Sequence, residues 1–416
     1  MPQWAASAIW YSVYPLGACG APIRGARDNA THHDLGRLEA WLDHVISLGA
    51  NGLALGPIWA SSTHGYDIID HDAIDPRLGD TGDFDRLVAA CHARGLRVLL
   101  DGVFNHVSSS HADVVRAQAE GVDSPSGLLF RHDPARPDGL SRFEGHEALI
   151  EYDHTNPEVA ARVAHTMELW LGRGADGWRL DAAYRVPGAF WADVIGQVRA
   201  QFPECLTVAE VLHGDYAAIA GAFGVDSVTQ YELWKAIWSS LHDHNPHELL
   251  WALGRHEEAM TARPGDFLPW TFVDNHDVTR IVTQVGWADA QVAAALLMTL
   301  PGMPAVYYGD EYGFAGLKEQ REGGDDAIRP VLPLDPAELP LDAAGAEMLR
   351  QYQLLIGLRR RHDLQWASLE IVGQQGQVLT YRVVPPSGGA VTVVLDASGD
   401  ENHLVISDAS GELMRY

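Results

Sequence analysis

Acids recur at the ends of short apolar runs. Val98-Leu99-Leu100 leads to Asp101, Trp178-Arg179-Leu180 to Asp181, Val208-Ala209 to Glu210, Phe272-Val273 to Asp274 and on to Asp277, and Tyr308-Gly309 to Asp310. A carboxylate beside apolar sequence is a costly placement unless it is paired or used. Asn105, His106, Arg179 and His276 stand at the same places. Such a set suits cleavage of a glycosidic bond. Retaining hydrolysis takes one carboxylate as nucleophile and one protonated carboxyl as general acid, about 5–5.5 Å apart. Its oxocarbenium-like transition state is helped by further negative charge and by directed hydrogen bonds. Tyr66, Phe104, Trp178 and Tyr184 lie near these acids and offer faces for sugar rings, although core packing would also account for Phe104 and Trp178. A single strand-end Asp also caps a helix; it is the number of acids, with their basic companions, that points to a site.

For these residues to meet, the runs that carry them must share an axis. Strand-like runs are expected at 9–14, 52–58, 97–104, 177–181, 206–211, 227–231, 271–277 and 305–310, each followed by helix-compatible sequence. Leu38, Trp41, Leu42, Val45 and Ile46, for example, keep helical spacing up to a stop at Gly49. Eight such units predict an α/β chain closed as a (β/α)8 TIM barrel, whose strand ends all face one side. An open doubly wound sheet is the alternative, but it lacks its Gly-x-Gly-x-x-Gly turn. Between the third strand and a helix near Pro157 lie about 50 residues rich in Ser, Gly, Pro, Asp and His, too long for a plain connection. After Ser368 helical spacing gives way to runs at 369–372, 378–384, 390–395 and 403–406, separated by turn sequences, which predict a small C-terminal antiparallel β-domain. The expected division is a barrel over 1–106 and 154–362, an insertion over 107–153 and the β-domain over 363–416.

Composition narrows the partners. The 416 residues hold 29 Lys+Arg against 56 Asp+Glu, a formal charge of −27 that disfavours nucleic acid and anionic membranes. No Gly-x-x-x-x-Gly-Lys loop or Gly-x-Ser-x-Gly elbow occurs. His256-Glu257-Glu258-Ala259-Met260 starts like a zinc helix but lacks its second histidine. Cys19, Cys91 and Cys205 form neither a disulfide framework nor a metal spacing, as expected in a reducing compartment. The start has no basic, apolar leader, and the apolar stretch over 292–308 is broken by Pro301 and Pro304. Asn29-Ala30-Thr31 matches a glycosylation sequon by pattern only. The expectation is a cytoplasmic protein with a small-molecule substrate and neither a nucleic-acid nor a membrane partner. Its oligomeric state stays open.

The strand ends resemble the signature segments of the α-amylase superfamily, glycoside hydrolase family 13. Asp101-Gly-Val-Phe-Asn105-His106 resembles the first, Gly177-Trp-Arg179-Leu-Asp181-Ala the second, Val208-Ala-Glu210-Val the third and Phe272-Val-Asp-Asn-His276-Asp277 the fourth. His64-Gly65-Tyr66-Asp67-Ile68, the stretch from Pro301 to Glu311, and Leu149-Ile-Glu-Tyr-Asp153 are similar to further family segments. The resemblance implies that Asp181 is the nucleophile, oriented by Arg179, and that Glu210 is the general acid and then the base. It implies that Asp277 binds the sugar's 2- and 3-hydroxyls, that His106 and His276 contact the same sugar, and that Tyr66 stacks beneath it. The insertion over 107–153 is then the family's domain B and the terminal β-domain its domain C.

Departures bear on specificity. Tyr184-Arg185 stands where many starch-cleaving members carry Lys-His, and Glu151 replaces an Asp that helps hold calcium in calcium-dependent members. A guanidinium at Arg185 can take that charge site, so no cofactor and no bound metal is expected, calcium included. Asp67 and Arg329 resemble a pair that closes the pocket of exo-acting α-glucosidases; a rim salt bridge is the plainer reading. Val211-Leu212-His213 is similar to cyclomaltodextrinase-type members. The expected activity is retaining hydrolysis of α-glucosidic, α-1,4 bonds in short maltooligosaccharides or small α-glucosides. Transglycosylation or phosphorolysis through the same intermediate is the alternative, and a non-catalytic binding subunit is the alternative of another class.

Overall fold

The apolar runs form eight short parallel strands: β1 (Trp10–Val13), β2 (Gly52–Leu55), β3 (Arg97–Gly102), β4 (Gly177–Leu180), β5 (Leu206–Ala209), β6 (Ser227–Val228), β7 (Trp270–Phe272) and β8 (Met303–Tyr307). The computed structural model describes residues 1–24 and 30–416, so the sequon residue Asn29 lies outside the described residues. Each strand pairs with its neighbours in sequence, and β1 also pairs with β8. The ring closes between β6 and β7 through a single parallel bridge, Thr229 to Trp270, and a hydrogen bond from the Gln230 amide to the Trp270 carbonyl at 3.0 Å. Strands covered on both faces read as unbroken apolar sequence; Gly-Leu-Ala-Leu in β2 and Leu-Thr-Val-Ala in β5 are buried throughout. Inside the barrel, Trp10, Leu99, Leu206, Val208, Phe272 and Met303 form a core of their own, with Trp10 stacked on Trp270 at 5.5 Å. Gly52 makes room for this packing, since a Cβ there would lie 2.4 Å from the Trp10 ring.

The strands stop sooner than the sequence pattern predicts, and the site depends on this. Asp181 follows the last residue of β4, and Glu210 the last of β5. Each still takes one step of the ladder: the Asp181 amide bonds to the Gly102 carbonyl and the Glu210 amide to the Leu180 carbonyl, both at 3.0 Å. The barrel wall therefore fixes the backbone of each acid while its side chain is free to turn into the mouth. A second departure lies outside the wall. The helix expected around Leu38–Ile46 begins as 3-10 over Asp34–Trp41 and becomes α only over Leu42–Leu48, where Gly49 at φ 99° ends it.

Two excursions leave the C-terminal ends of the strands. After β2, Trp59–Ser61 pairs antiparallel with Ile68–Ile74, and the turn between them carries Tyr66 and Asp67. After β3, His106–Ser108 pairs antiparallel with Leu149–Glu151, and the helix Ala112–Glu120 lies between. The chain ends in a five-stranded antiparallel meander: β9 (Ser368–Gln375), β10 (Val378–Val384), β11 (Val391–Asp396), β12 (His403–Asp408) and β13 (Gly411–Arg415). Alternation in β10 and β11 sends Leu379, Tyr381, Val383, Val391, Val393 and Leu395 inward. The sequence pattern misses β13, a half-exposed edge strand with no alternation to mark it. Among the described residues no helix is long and apolar enough to cross a membrane, and the three cysteines are free and buried.

Candidate active site

Arg179 gathers the catalytic candidates. Its Nη1 donates to Asp101 Oδ1 at 2.7 Å and Asp181 Oδ1 at 2.9 Å, while Nη2 lies 2.6 Å from Glu210 Oε1. The guanidinium is nearly enclosed, with 12% of its side chain exposed. Glu210 Oε2 accepts from the Ala182 amide at 2.8 Å, and the Tyr231 hydroxyl lies 3.2 Å from Oε1. Ala182 itself sits at φ 45°, a left-handed conformation strained for a residue with a Cβ. Burial, together with the Glu210, Asp101 and Asp277 carboxylates, pushes the Asp181 carboxyl well above its ordinary value against the pull of Arg179.

A second chain of contacts forms the opposite wall. The Tyr66 hydroxyl donates to Asp101 Oδ2 at 2.9 Å and is also bonded to His276 Nε2, with the two rings stacked at 5.3 Å. His276 Nε2 lies 3.0 Å from Asp277 Oδ2, and Arg329 Nη2 lies 3.1 Å from Asp277 Oδ1. Arg329 Nε donates to the His276 carbonyl at 2.9 Å, and its guanidinium covers the Tyr14 ring at 4.4 Å. Burial alone would raise the Asp277 carboxyl, but His276, Arg329 and Lys318 hold it well below its ordinary value. It stays charged beside the mouth.

One expected contact is corrected. Asp67 does not pair with Arg329: its oxygens accept from the Thr63 amide and hydroxyl at 2.9 and 2.6 Å, and Arg329 turns to Asp277 and Asp325. Both His106 ring nitrogens have protein neighbours. Nε2 meets the Tyr66 carbonyl at 3.0 Å, which makes it the donor, and Nδ1 takes the Asn105 amide at 3.1 Å. Burial lowers the His106 imidazole to about 3, so the ring is neutral. The region where calcium is held in other members carries its own cations: Glu151 Oε1 faces Arg185 at 3.5 Å, and Oε2 faces Arg131 at 3.7 Å while accepting from Ser141 at 2.6 Å. Among the described residues one His/Asp group, His33, Asp80 and Asp83, has ligand atoms within 4.8 Å of one another. There Asp80 and Asp83 form a helix capping box, and Asp83 also pairs with Arg86.

The alpha-amylase catalytic-domain family model matches residues 26–332, about three quarters of the chain. The chain belongs to the alpha-amylase family. It is 30% identical to neopullulanase 2 of Thermoactinomyces vulgaris over 80% of its own length, and 29% identical to a cyclomaltodextrinase of Bacillus sp over 87%. It covers 60% and 67% of those two relatives, so it spans about two thirds of their length. In architecture it matches the cyclic alpha-maltosyl-(1→6)-maltose hydrolase of Arthrobacter globiformis, with a TM-score of 0.83, 23% identity and full coverage of both chains.

Within this alpha-amylase-family chain the structure adds residues that sequence reasoning passed over. Tyr231 and Asn275 back Glu210, the Asn275 amide donating to the Tyr231 hydroxyl at 3.0 Å. Tyr14, at the end of β1, stacks near His276 at 6.2 Å and donates to the His64 carbonyl. Both tyrosines stand just past a barrel strand, the same signal that marked the acids. Asp325, Phe143 and Glu144 come from long connections, and their sequence neighbourhood carries no such mark.

Proposed function

We propose that the protein is a cytoplasmic retaining α-glycosidase that cleaves α-glucosidic, α-1,4 bonds in short maltooligosaccharides or small α-glucosides through a covalent glycosyl ester on Asp181. The observation that carries this reading is one guanidinium, Arg179, shared by Asp181 and Glu210. Asp181 Oδ2 attacks the anomeric carbon while Oδ1 stays on Arg179. Glu210 gives its proton to the glycosidic oxygen, then takes one from the incoming water as the ester breaks and the electron pair returns to Asp181. Three carboxylates, Asp101, Asp181 and Glu210, crowd one arginine, which favours retention within the cluster of the proton this cycle needs. As the anomeric carbon turns cationic, it and Arg179 together favour charge on Asp181. Asp277, kept ionised, receives the sugar's hydroxyls, with Tyr66 and His276 as the adjoining aromatic face.

The names of the relatives support an α-linked glucose oligomer as substrate: neopullulanase, cyclomaltodextrinase and, at 30% identity, intracellular maltogenic amylase of Bacillus subtilis. The last name also supports a cytoplasmic place. The guanidinium contacts of Glu151 support a fold that needs no calcium there. The test is incubation with maltotriose and with p-nitrophenyl α-glucoside, following the anomer released. Turnover with the α-anomer formed first is expected; no turnover, or the β-anomer first, overturns the proposal.

A further inference from the structure

The excursion after β2 is irregular. Trp59 pairs with Ile74 but Ala60 already pairs with Asp70, so residues 71–73 have no partners across that step. Surplus residues of this kind bulge and re-aim their side chains. Here Asp70, His71 and Asp72 come together against the helix Pro157–Gly172 and the insertion, around a cavity of about 340 Å³. That volume lies within the range of small-molecule sites. The cavity shares no lining residue with the one beneath the catalytic mouth, which Asp101, Arg179 and His276 line. Two of its polar side chains are nine-tenths buried and incompletely bonded. His71, 9% exposed, gives its Nε2 proton to the Val103 carbonyl at 2.8 Å, which leaves Nδ1 a bare acceptor with no protein partner among the described residues. Tyr152, 8% exposed, stacks on Phe130 at 5.4 Å, and its hydroxyl has no protein partner among the described residues. Neither atom is sealed in the packed interior, so both open on the cavity their residues line.

The charges around these two groups decide what they meet. Asp113 is matched by Arg116 and by Arg162 at 2.8 Å, and Glu158 by Arg162 at 2.6 Å. Asp70 and Asp72 have no cation partner among the described residues; Asp70 Oδ1 accepts from the Asp72 amide at 2.9 Å and Asp72 Oδ1 from the Thr166 hydroxyl at 3.1 Å. Unmatched carboxylates repel an anion. A single metal ion is poorly served, because no three histidine or carboxylate ligand atoms of this group lie within 4.8 Å of one another. A hydroxylated molecule is served well, since each hydroxyl both gives and takes a proton. His71 Nδ1 and the two aspartates accept. The Tyr152 hydroxyl donates, its phenol pushed up by burial and by Asp113 and Asp72 against the pull of Arg162. A recess that His71 and Tyr152 share with Phe104, Val159 and Val163 offers an apolar wall to C–H groups. We infer that this cavity is a second, non-catalytic binding site for a neutral polyhydroxylated ligand of monosaccharide size, held between His71 Nδ1, the Tyr152 hydroxyl and the carboxylates of Asp70 and Asp72. The choice of glucose as its probe rests on the function proposed above; the donors and acceptors of the cavity do not.

The test is a glucose titration followed by saturation-transfer NMR in Asp277→Asn, which lacks the carboxylate proposed to receive sugar hydroxyls at the mouth. Binding is expected to persist there, and its apparent Kd to rise about tenfold when Tyr152→Phe or Asp72→Asn is added. Tyr152→Phe removes only an atom without a protein partner, so by itself it should leave Tm and kcat/KM for maltotriose as in the native chain. Calcium or zinc chloride should not displace the glucose. Loss of all glucose binding in Asp277→Asn, an unchanged Kd in both added variants, or displacement by either metal overturns the inference. If the native protein does not cleave maltotriose while glucose binding still responds to Tyr152→Phe, the catalytic reading fails and this one stands.

Discussion

Two arginines in this molecule hold clusters of strand-end acids, and only one cluster faces the mouth. Arg179 joins Asp101, Asp181 and Glu210, with 12% of its side chain exposed. Arg280 lies 3.0 Å from Asp310 and 3.9 Å from Asp274, fully buried, with its guanidinium 4.1 Å from the centre of the Tyr307 ring. Asp274 also accepts from the amides of Asn275 and Ile281, and so it anchors both ends of the segment that presents His276 and Asp277. Burial raises carboxyls in both clusters: Asp181 well above its ordinary value in one, Asp274 to about 6 in the other. The same residue types thus serve two purposes. The cluster at the mouth is the one proposed for chemistry; the fully buried arginine and its acids support the segment beside it.

The comparison is sharpest when each cluster is broken in turn. Asp181→Asn and Glu210→Gln are expected to lower kcat on maltotriose by about 10³-fold or more while leaving thermal unfolding nearly unchanged. Arg280→Met should do the reverse, costing about 3–5 kcal/mol in urea unfolding because two buried carboxylates lose their cation. The activity of its remaining folded fraction should change far less. If Arg280→Met lowers activity with no loss of stability, the division between the two clusters is wrong.

A smaller effect separates the clusters by pH. The acid limb of kcat/KM follows protonation of the nucleophile, so it should lie above the ordinary carboxylate range. Asp101→Asn removes a like charge and leaves Arg179 to fewer partners. The Asp181 carboxyl then falls, and the limb moves about one unit toward acid. In the buried cluster the pH signal is in stability. The Asp274 carboxyl is higher in the folded chain than in the unfolded one, so folding takes up a proton. The stability gained from it is full below the ordinary value and is lost as pH rises through about 6. Asp274→Asn should flatten that slope, as read from urea unfolding at pH 4 and 7. Smallest of all, EDTA should leave both activity and Tm unchanged if Arg185 and Arg131 neutralise Glu151 in calcium's place.

The sequence shows which acids reach the strand ends, because a buried parallel strand reads as a short apolar run and the acid that breaks it is conspicuous. Asp101, Asp181, Glu210, Asp277 and Arg179 were legible on that ground, and so was the eightfold repeat of strands. What it does not show is which acids share a cation. Asp310 and Asp181 look alike in one dimension; only the closing of the barrel seals one and opens the other. The Asp67 contact was misjudged for a related reason. A nearby Thr63 satisfies it locally, within four residues, and Asp325 takes its place beside Arg329. Glu144 and Phe143 were out of reach because their positions come from the path of a long insertion, which no periodicity records. The edge strand β13 lacks the alternation that buried strands need.

One peptide unit ties the two catalytic carboxylates together. The amide that follows Asp181 belongs to Ala182, bent to φ 45°, and it points at Glu210 Oε2. Asp181 and Glu210 are therefore linked through the backbone as well as through Arg179. In this class of reaction their separation is what tells a retained product from an inverted one. On the proposed retaining mechanism, the Ala182 amide would help to set that separation.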